Sequence, residues 1–373
     1  VEPGARRLGV EEELLLVDPD DGRPLGLSGA VRDTGEAGDE LDGEMRAEQV
    51  ETGSTPHHEA DALAADLVAR RRTALDAAGT QGAVVAGLAT SPVAPDPLAP
   101  PPGRYGRILE RFGPIASEQL TNGQHVHVEI ASREEGVGVL DRIGPWLPVL
   151  RALSANSPFW RDDDTNHASY RSLVWNRWPS AGPTPVFGSP AAYDATVAAM
   201  IATGTVLDEG MVYFDARLAA SFPTVEVRVA DVAGEVEEAV VVALLARALV
   251  DTAARAWAAG EPAPSSPVEA LRLAHWRAAR SGCVPGHDAE AGVLVDPRTG
   301  RASGADTVVA ALLEHVDTAL GADRERVREG CARVLAGGTG AAHQRRVFAD
   351  AGGHAGDGVR AVALDAAARC APR

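Results

Sequence analysis

The 373-residue chain contains no lysine. All 35 of its basic residues are arginine, set against 53 acidic residues for a formal charge of −18. No Schiff base can form on a lysine amine, and there is no lysine to hold pyridoxal phosphate. Neither a P-loop nor a protein-kinase ATP site can be written without its lysine. Any handling of phosphate must rest on arginine, backbone amides or metal ions. High Ala, Gly, Arg and Asp usage traces the absence to a GC-rich genome, and the chemical consequence stands whatever the origin.

Cysteine is scarce too. Cys283, Cys331 and Cys370 lie far apart and form no C-x-x-C, so inert thiols in a reducing cytoplasm are expected rather than a disulfide framework. No apolar run reaches the length of a membrane span. No apolar segment follows Val1–Arg7, so no signal peptide is expected, and Val1 in place of Met suggests a processed start. The acidic balance argues against a nucleic-acid binder and gives no attraction to an anionic membrane. Apolar content of 45% with 24% charged residues is that of a globular protein with a substantial core.

Two regions are expected within a single catalytic domain spanning residues 1–373. Residues 1–232 read as sheet-rich. Strands are expected at Leu8–Val17, Ala83–Ala89, Gln124–Ile130, Val212–Arg217 and Thr224–Ala230, and helices at His58–Ala78, Gly138–Ala155 and Ala191–Thr203. Pro92–Pro102 must be a loop. Ser157–Pro190, rich in Trp, Pro, Asn and Ser, reads as a long functional one. Residues 233–373 read as mostly helical, with helices at Glu235–Ala259, Val268–Ser281, Thr307–Leu320, Arg324–Leu335 and Gly340–Ala349. A strand-turn is expected at Gly292–Gly300. The fold class is α+β with a helical layer.

Charge inside the strands carries the chemistry. Glu11 and Glu13, two apart, project from one strand face and Glu12 from the other, between apolar flanks. Two carboxylates about 5 Å apart repel by several kcal/mol at an effective dielectric of about 20, so burial would demand cations, and Mg²⁺ prefers oxygen ligands. The alternative is an edge strand with a solvated acidic face. His125 and His127 likewise share a face, as a metal pair or as two histidines bonded to backbone. Glu226 and Arg228 share another, as a salt bridge or as a metal ligand beside a phosphate clamp. Glu44 and Glu51 add a further acidic pair. Buried charge costs free energy unless paired. A sheet face that binds divalent ions and a polyphosphate explains all four clusters together.

The segments LGVEEELLLVDP (8–19), GEMRAEQVET (43–52), NGQHVHVEI (122–130), SANSPFWRDDDTNHASYRSLVWNRWPSAGPTP (154–185) and FPTVEVRVADV (222–232) appear in that order. Together they resemble the carboxylate–amine ligase family, also called glutamate–cysteine ligase type 2, of the glutamine-synthetase-like superfamily. The resemblance implies an antiparallel sheet forming an active-site funnel with helices packed outside. It implies ATP and Mg²⁺ (or Mn²⁺) as cofactors, an acyl-phosphate intermediate and a γ-glutamyl-type amide product. Glutamate is the expected acid, cysteine or another amine the acceptor, and a homodimer the expected assembly.

Carried over by position, Glu11, Glu13, Glu44, Glu51, His125 and Glu226 match metal ligands. His127, Arg217 and Arg228 match nucleotide contacts. Arg228 also matches the arginine near the transferred phosphate, and Arg171 a candidate for the acceptor carboxylate or phosphate. The chain departs from the family at Leu218-Ala219-Ala220, where Pro-Ser is usual, at Glu129, where glycine is usual, and at Gly87–Pro92. These departures leave the substrate pair open. A guanidino-type phosphotransferase of the same superfamily and a non-catalytic ATP-binding relative are the alternatives.

Overall fold

A computed structural model describes residues 5–35, 38, 40–96, 103–283 and 291–371. Val1–Gly4, residues 97–102 of the expected Pro92–Pro102 loop and residues 284–290 fall outside the described residues.

One antiparallel sheet organises the chain. Its strands are β1 (Leu8–Val17), β2 (Asp42–Gly43), β3 (Gln49–Gly53), β4 (Val84–Ala86), β5 (Gly123–Glu129), β8 (Ala216–Leu218) and β9 (Thr224–Asp231), while β6 (Phe159–Trp160) and β7 (Asp163–Asp164) form a separate small hairpin. The order is β2-β3-β1-β5-β9-β8, with β4 paired beside the far end of β1. The expected strand-turn at 292–300 is a hairpin, β10 (Val293–Asp296) and β11 (Arg301–Gly304).

The register follows from side-chain alternation. Glu11 faces His125, Glu13 faces Glu51, His127 faces Glu226 and Glu226 faces Arg217. Period two puts all of these on one face. The opposite face carries Val10, Val126, Val128, Val225, Val227 and Val229, all buried in the main core. The helix Val236–Ala258 crosses that apolar face. It packs on Ala60–Gly79, Arg133–Ile143 and Ala305–Leu320. Its start is a capping box in which Glu235 and Glu238 satisfy each other's backbone N–H groups.

Glu12 is the one acid of β1 that points into this core. It meets Arg71 in a two-pronged contact at 2.6 and 2.9 Å, with both side chains fully buried. Arg71 spends its remaining donors on the carbonyls of Ala233 and Gly234 at 2.9 Å each. A buried charge pair is tolerated when every donor and acceptor is satisfied in this way.

Several expected boundaries move. The Gly138–Ala155 helix is two helices, Arg133–Ile143 and Leu147–Leu153, separated by a 3₁₀ turn at Gly144–Trp146. Ser132 caps the first, accepting from the Glu135 N–H at 3.1 Å, so it begins earlier than expected, and Pro145 and Pro148 break the run. The strand expected at Val212–Arg217 shrinks to Ala216–Leu218, since 212–215 approach as irregular chain after a 3₁₀ turn. Ser157–Pro190 is not a continuous loop: it holds the β6–β7 hairpin and the helix Tyr170–Trp175. Among the described residues, the helices Gly103–Phe112 and Asp357–Cys370 and the short ones Ser28–Arg32 and Pro114–Ser117 went unexpected. Cys283, Cys331 and Cys370 are all free and buried, and burial raises their thiols above the ordinary range, as inert cysteines require. No helix among the described residues is long and apolar enough to cross a membrane.

Candidate active site

The polar sheet face floors a cavity of about 330 Å³. Glu11, Glu13, Glu44, Glu51, His125, His127, Arg217, Glu226 and Arg228 all line it. Nine of the ten residues picked out by sequence therefore converge. The exception is Arg171, which does not line the cavity. It is buried against Gly123 of β5, 4.0 Å from Asp231, with its guanidinium 5.9 Å from the Trp175 ring centroid. It packs so close to Gly123 that a Cβ there would lie 2.1 Å from its Nη2. Gly123 is thus fixed by close approach, and its N–H donates to Glu13 Oε2. Arg171 packs against the Gly123 amide that holds Glu13, and its charge acts on that carboxylate.

The acids and His125 form two overlapping sets. Glu11, His125 and Glu226 make one, and Glu13, Glu51 and His125 the other, with the candidate ligand atoms of each set within 4.8 Å of one another. His125 Nδ1 lies 3.4 Å from Glu11 and 3.9 Å from Glu226, and its Nε2 lies 3.8 Å from Glu13. That Nε2 is buried with no hydrogen-bond partner. Glu44 lines the cavity but belongs to neither set. His127 stands outside both as well, with Nε2 3.2 Å from Glu11 and Nδ1 3.0 Å from the Thr224 hydroxyl.

Electrostatics separates the acids into two kinds. Burial raises Glu13 to about 8, with the Glu44 charge adding to it against Arg171 and the Gly123 amide. Glu51 is held well above the carboxylate range by burial and then by Glu44, Glu11 and Glu13. Among the described residues neither forms an ion pair with an arginine, although Arg171 and Arg228 act on Glu13 from a distance. Glu226 goes the other way: burial opposes its charge, but Arg228 and Arg217 outweigh it and hold it down at about 2. Arg217 Nε donates to it at 2.6 Å, and Arg228 contacts it through Nη1. Glu11 is also held low, because hydrogen bonds with His125 and His127 outweigh its burial. Burial, reinforced by Arg228, drops the His125 imidazole to about 4. A neutral histidine with an open ring nitrogen, among carboxylates short of positive charge, fits a divalent cation.

The expected choice between salt bridge and metal ligand at Glu226 dissolves, since its carboxylate is engaged by both arginines and also sits in the first ligand set. Arg228 lies 5.8 Å from the Trp175 ring centroid and keeps Nε without a hydrogen-bond partner. Sequence reasoning missed the aromatic wall, formed by Trp175, Trp178, Tyr105 and Tyr213. Its one signal was the density of tryptophan, at 160, 175 and 178, in a stretch with no apolar period.

An α+β chain with this sheet face has the fold of the carboxylate–amine ligases. The whole chain superposes on the glutamate–cysteine ligase of Francisella tularensis, solved in complex with AMP, with a TM-score of 0.67 over 90% of that chain at 14% identity. It superposes equally, at 0.67, on a bifunctional glutathione synthetase from Pasteurella multocida, covering 53% of that longer chain at 14% identity. Likeness at such identity speaks for the fold alone. The family follows from sequence: the chain belongs to glutamate–cysteine ligase family 2, whose model matches residues 7–363. A protein of Streptomyces coelicolor that carries the provisional name glutamate–cysteine ligase 2 is 52% identical over 355 residues, 93% of this chain and 95% of that protein. A similarly named protein of Streptomyces avermitilis is 49% identical over 349 residues, 92% and 94% of the two chains. The chain is therefore an ATP-dependent carboxylate–amine ligase by family.

Proposed function

We infer that the acidic face holds divalent cations, Mg²⁺ or Mn²⁺, against the phosphates of ATP, and that the enzyme joins a carboxylate of glutamate to the nitrogen of an amine. The carrying observation is that Glu13 and the half-buried Glu51 face each other on adjacent strands, with ligand atoms within 4.8 Å of one another and of His125. Glu11, Glu13, Glu51, His125 and Glu226 would hold the metal, with Glu44 adding charge from the rim. The metal would offset phosphate charge and polarise the transferring group.

The chain's own residues do the rest. Arg228, anchored by Glu226, presents a planar donor set to the phosphoryl group as charge spreads over its oxygens. Arg217 braces Glu226 from the next strand and bonds the Val212 carbonyl at 3.0 Å, fixing the floor. His127, held by the Thr224 hydroxyl with its other ring nitrogen at Glu11, would contact the nucleotide. Trp175 and its aromatic neighbours limit water around the mixed anhydride. An oxygen of the acid attacks the γ-phosphorus and ADP leaves. The amine nitrogen then attacks the acyl carbon, phosphate departs with that oxygen, and the nitrogen gives up a proton.

The test is ADP release across pairs of acids and amines with Mg²⁺ present. Release that needs both an acid and an amine supports the reading, and mass spectrometry should find an amide. Release with a stable phosphorylated product instead would point to phosphotransfer.

A further inference from the structure

A second cavity, of about 690 Å³, adjoins the first. The two share Arg217, Ala219 and Ala220 as a common wall. Ala219 and Ala220 contribute only methyl side chains to that shared wall. The second cavity has an apolar floor of buried Tyr193, Val197, Val212 and Leu218, continued by Ala198, Ile201 and Ala202 of the helix Pro190–Ala202. Its rim is charged: Arg133 contacts Asp194, and Glu209 stands exposed nearby.

Space is the first argument. A cavity of about 330 Å³ sits at the lower end of what one small ligand needs, yet the reaction brings together three reactants. The second argument is charge. ATP and a dicarboxylic acid both need positive groups around them. The only cations among the described lining residues of the second cavity are Arg133 and Arg217, each already engaged by a carboxylate. An amine has the opposite need. It arrives as an ammonium ion, which the exposed Glu209 at the rim attracts, and it offers a hydrocarbon body to the floor. Position is the third argument. The cavities meet at Arg217, whose partner Glu226 also engages Arg228, the arginine assigned above to the phosphoryl group.

We propose that the second cavity is the acceptor site, and that the acceptor is an organic amine with an apolar body and no carboxylate of its own. This rests on the ligase reading above and adds the class of the second substrate. It concerns recognition, so the bonds made and broken stay those already given.

The experiment is steady-state ADP release with ATP, Mg²⁺ and glutamate, comparing ethylamine, butylamine, phenethylamine and cysteine as acceptors. The expected result is that kcat/KM rises at least tenfold from ethylamine to phenethylamine and exceeds that of cysteine. Ala198→Trp, which projects a ring into the second cavity from an exposed helix position, should raise the KM for phenethylamine at least tenfold while the KM for ATP stays put. Ala202→Trp, on the same wall, repeats the test should the first variant fold poorly. A preference for cysteine, a flat response to amine size, or a rise in the KM for ATP or glutamate in place of the amine overturns the proposal while leaving the ligase reading intact. No ADP release with any of the four amines, or with any other acid–amine pair, overturns both.

Discussion

Glu51→Gln should make the metal-free protein more stable while destroying its activity. Glu13, Glu51 and His125 present ligand atoms within 4.8 Å of one another, and two unit charges at that separation repel by about 3 kcal/mol at an effective dielectric of about 20. The sign follows from the raised pKa of Glu51. Folding holds the proton on, so stability is fully present below the ordinary pKa of 4.5 and is lost as pH rises toward the folded value. Glutamine removes the charge and flattens that loss. The gain should therefore be near zero at pH 5 and should approach about 3 kcal/mol at pH 9. Across a chain of 373 residues that is roughly 4 °C in Tm. The assay is thermal unfolding in EDTA from pH 5 to 9, repeated with Mg²⁺, beside ADP release on the same samples. Mg²⁺ should raise the Tm of the wild type more than that of the variant. A variant less stable than wild type at pH 9 in EDTA, or equal Mg²⁺ stabilisation of both, would refute the reasoning that these acids form a strained cation socket.

Other perturbations separate the roles. Glu226→Gln and Arg228→Lys should each lower kcat by about 10²–10³ with circular dichroism unchanged, because a neutral amide cannot anchor Arg228 and a point charge cannot replace the planar fork; kcat within threefold of wild type in either folded variant would remove that residue from the site. Glu12→Ala leaves Arg71 buried beside two carbonyls only, which should cost about 3–5 kcal/mol in urea unfolding with little change in KM for ATP. His275 is pushed down to about 3 by burial, so it stays neutral in the fold while the unfolded chain protonates near 6.5. Stability should fall as pH drops from 6.5 toward 3, and His275→Gln should flatten that acid limb; an unchanged limb would show that other groups set it.

Much of this site was legible because strands advertise their faces. In β5 and β9 the histidines and charged residues alternate with valine, and in β1 the three consecutive acids sit between apolar flanks, so period two alone grouped Glu11 with Glu13, His125 with His127 and Glu226 with Arg228. The partner of Glu12 was illegible, since Arg71 lies 59 residues away and meets it only after the helix Ala60–Gly79 docks. The long segment after Ser157 misread for the same reason. Asp231, just past the expected strand Thr224–Ala230, accepts from the Asn156 backbone amide at 2.8 Å and from the Ser157 and Ser169 hydroxyls at 2.7 and 2.9 Å. That distant carboxylate folds the segment back and lets the short helix Tyr170–Trp175 form. Arg171 was placed in the site by motif and out of its cavity by packing, because motif spacing says nothing about depth. The partition at Ala219–Ala220 showed in the sequence as a departure, but the space behind it depends on a helix that begins at Pro190.

The central claim is that a carboxylate is activated by phosphoryl transfer at the acidic face. Glutamate labelled with ¹⁸O in its side-chain carboxylate, turned over with Mg²⁺, ATP and a productive amine, tests it most directly. The account predicts that one labelled oxygen appears in inorganic phosphate for each amide formed, and that Glu226→Gln abolishes the transfer. Amide formation with phosphate free of label would contradict it.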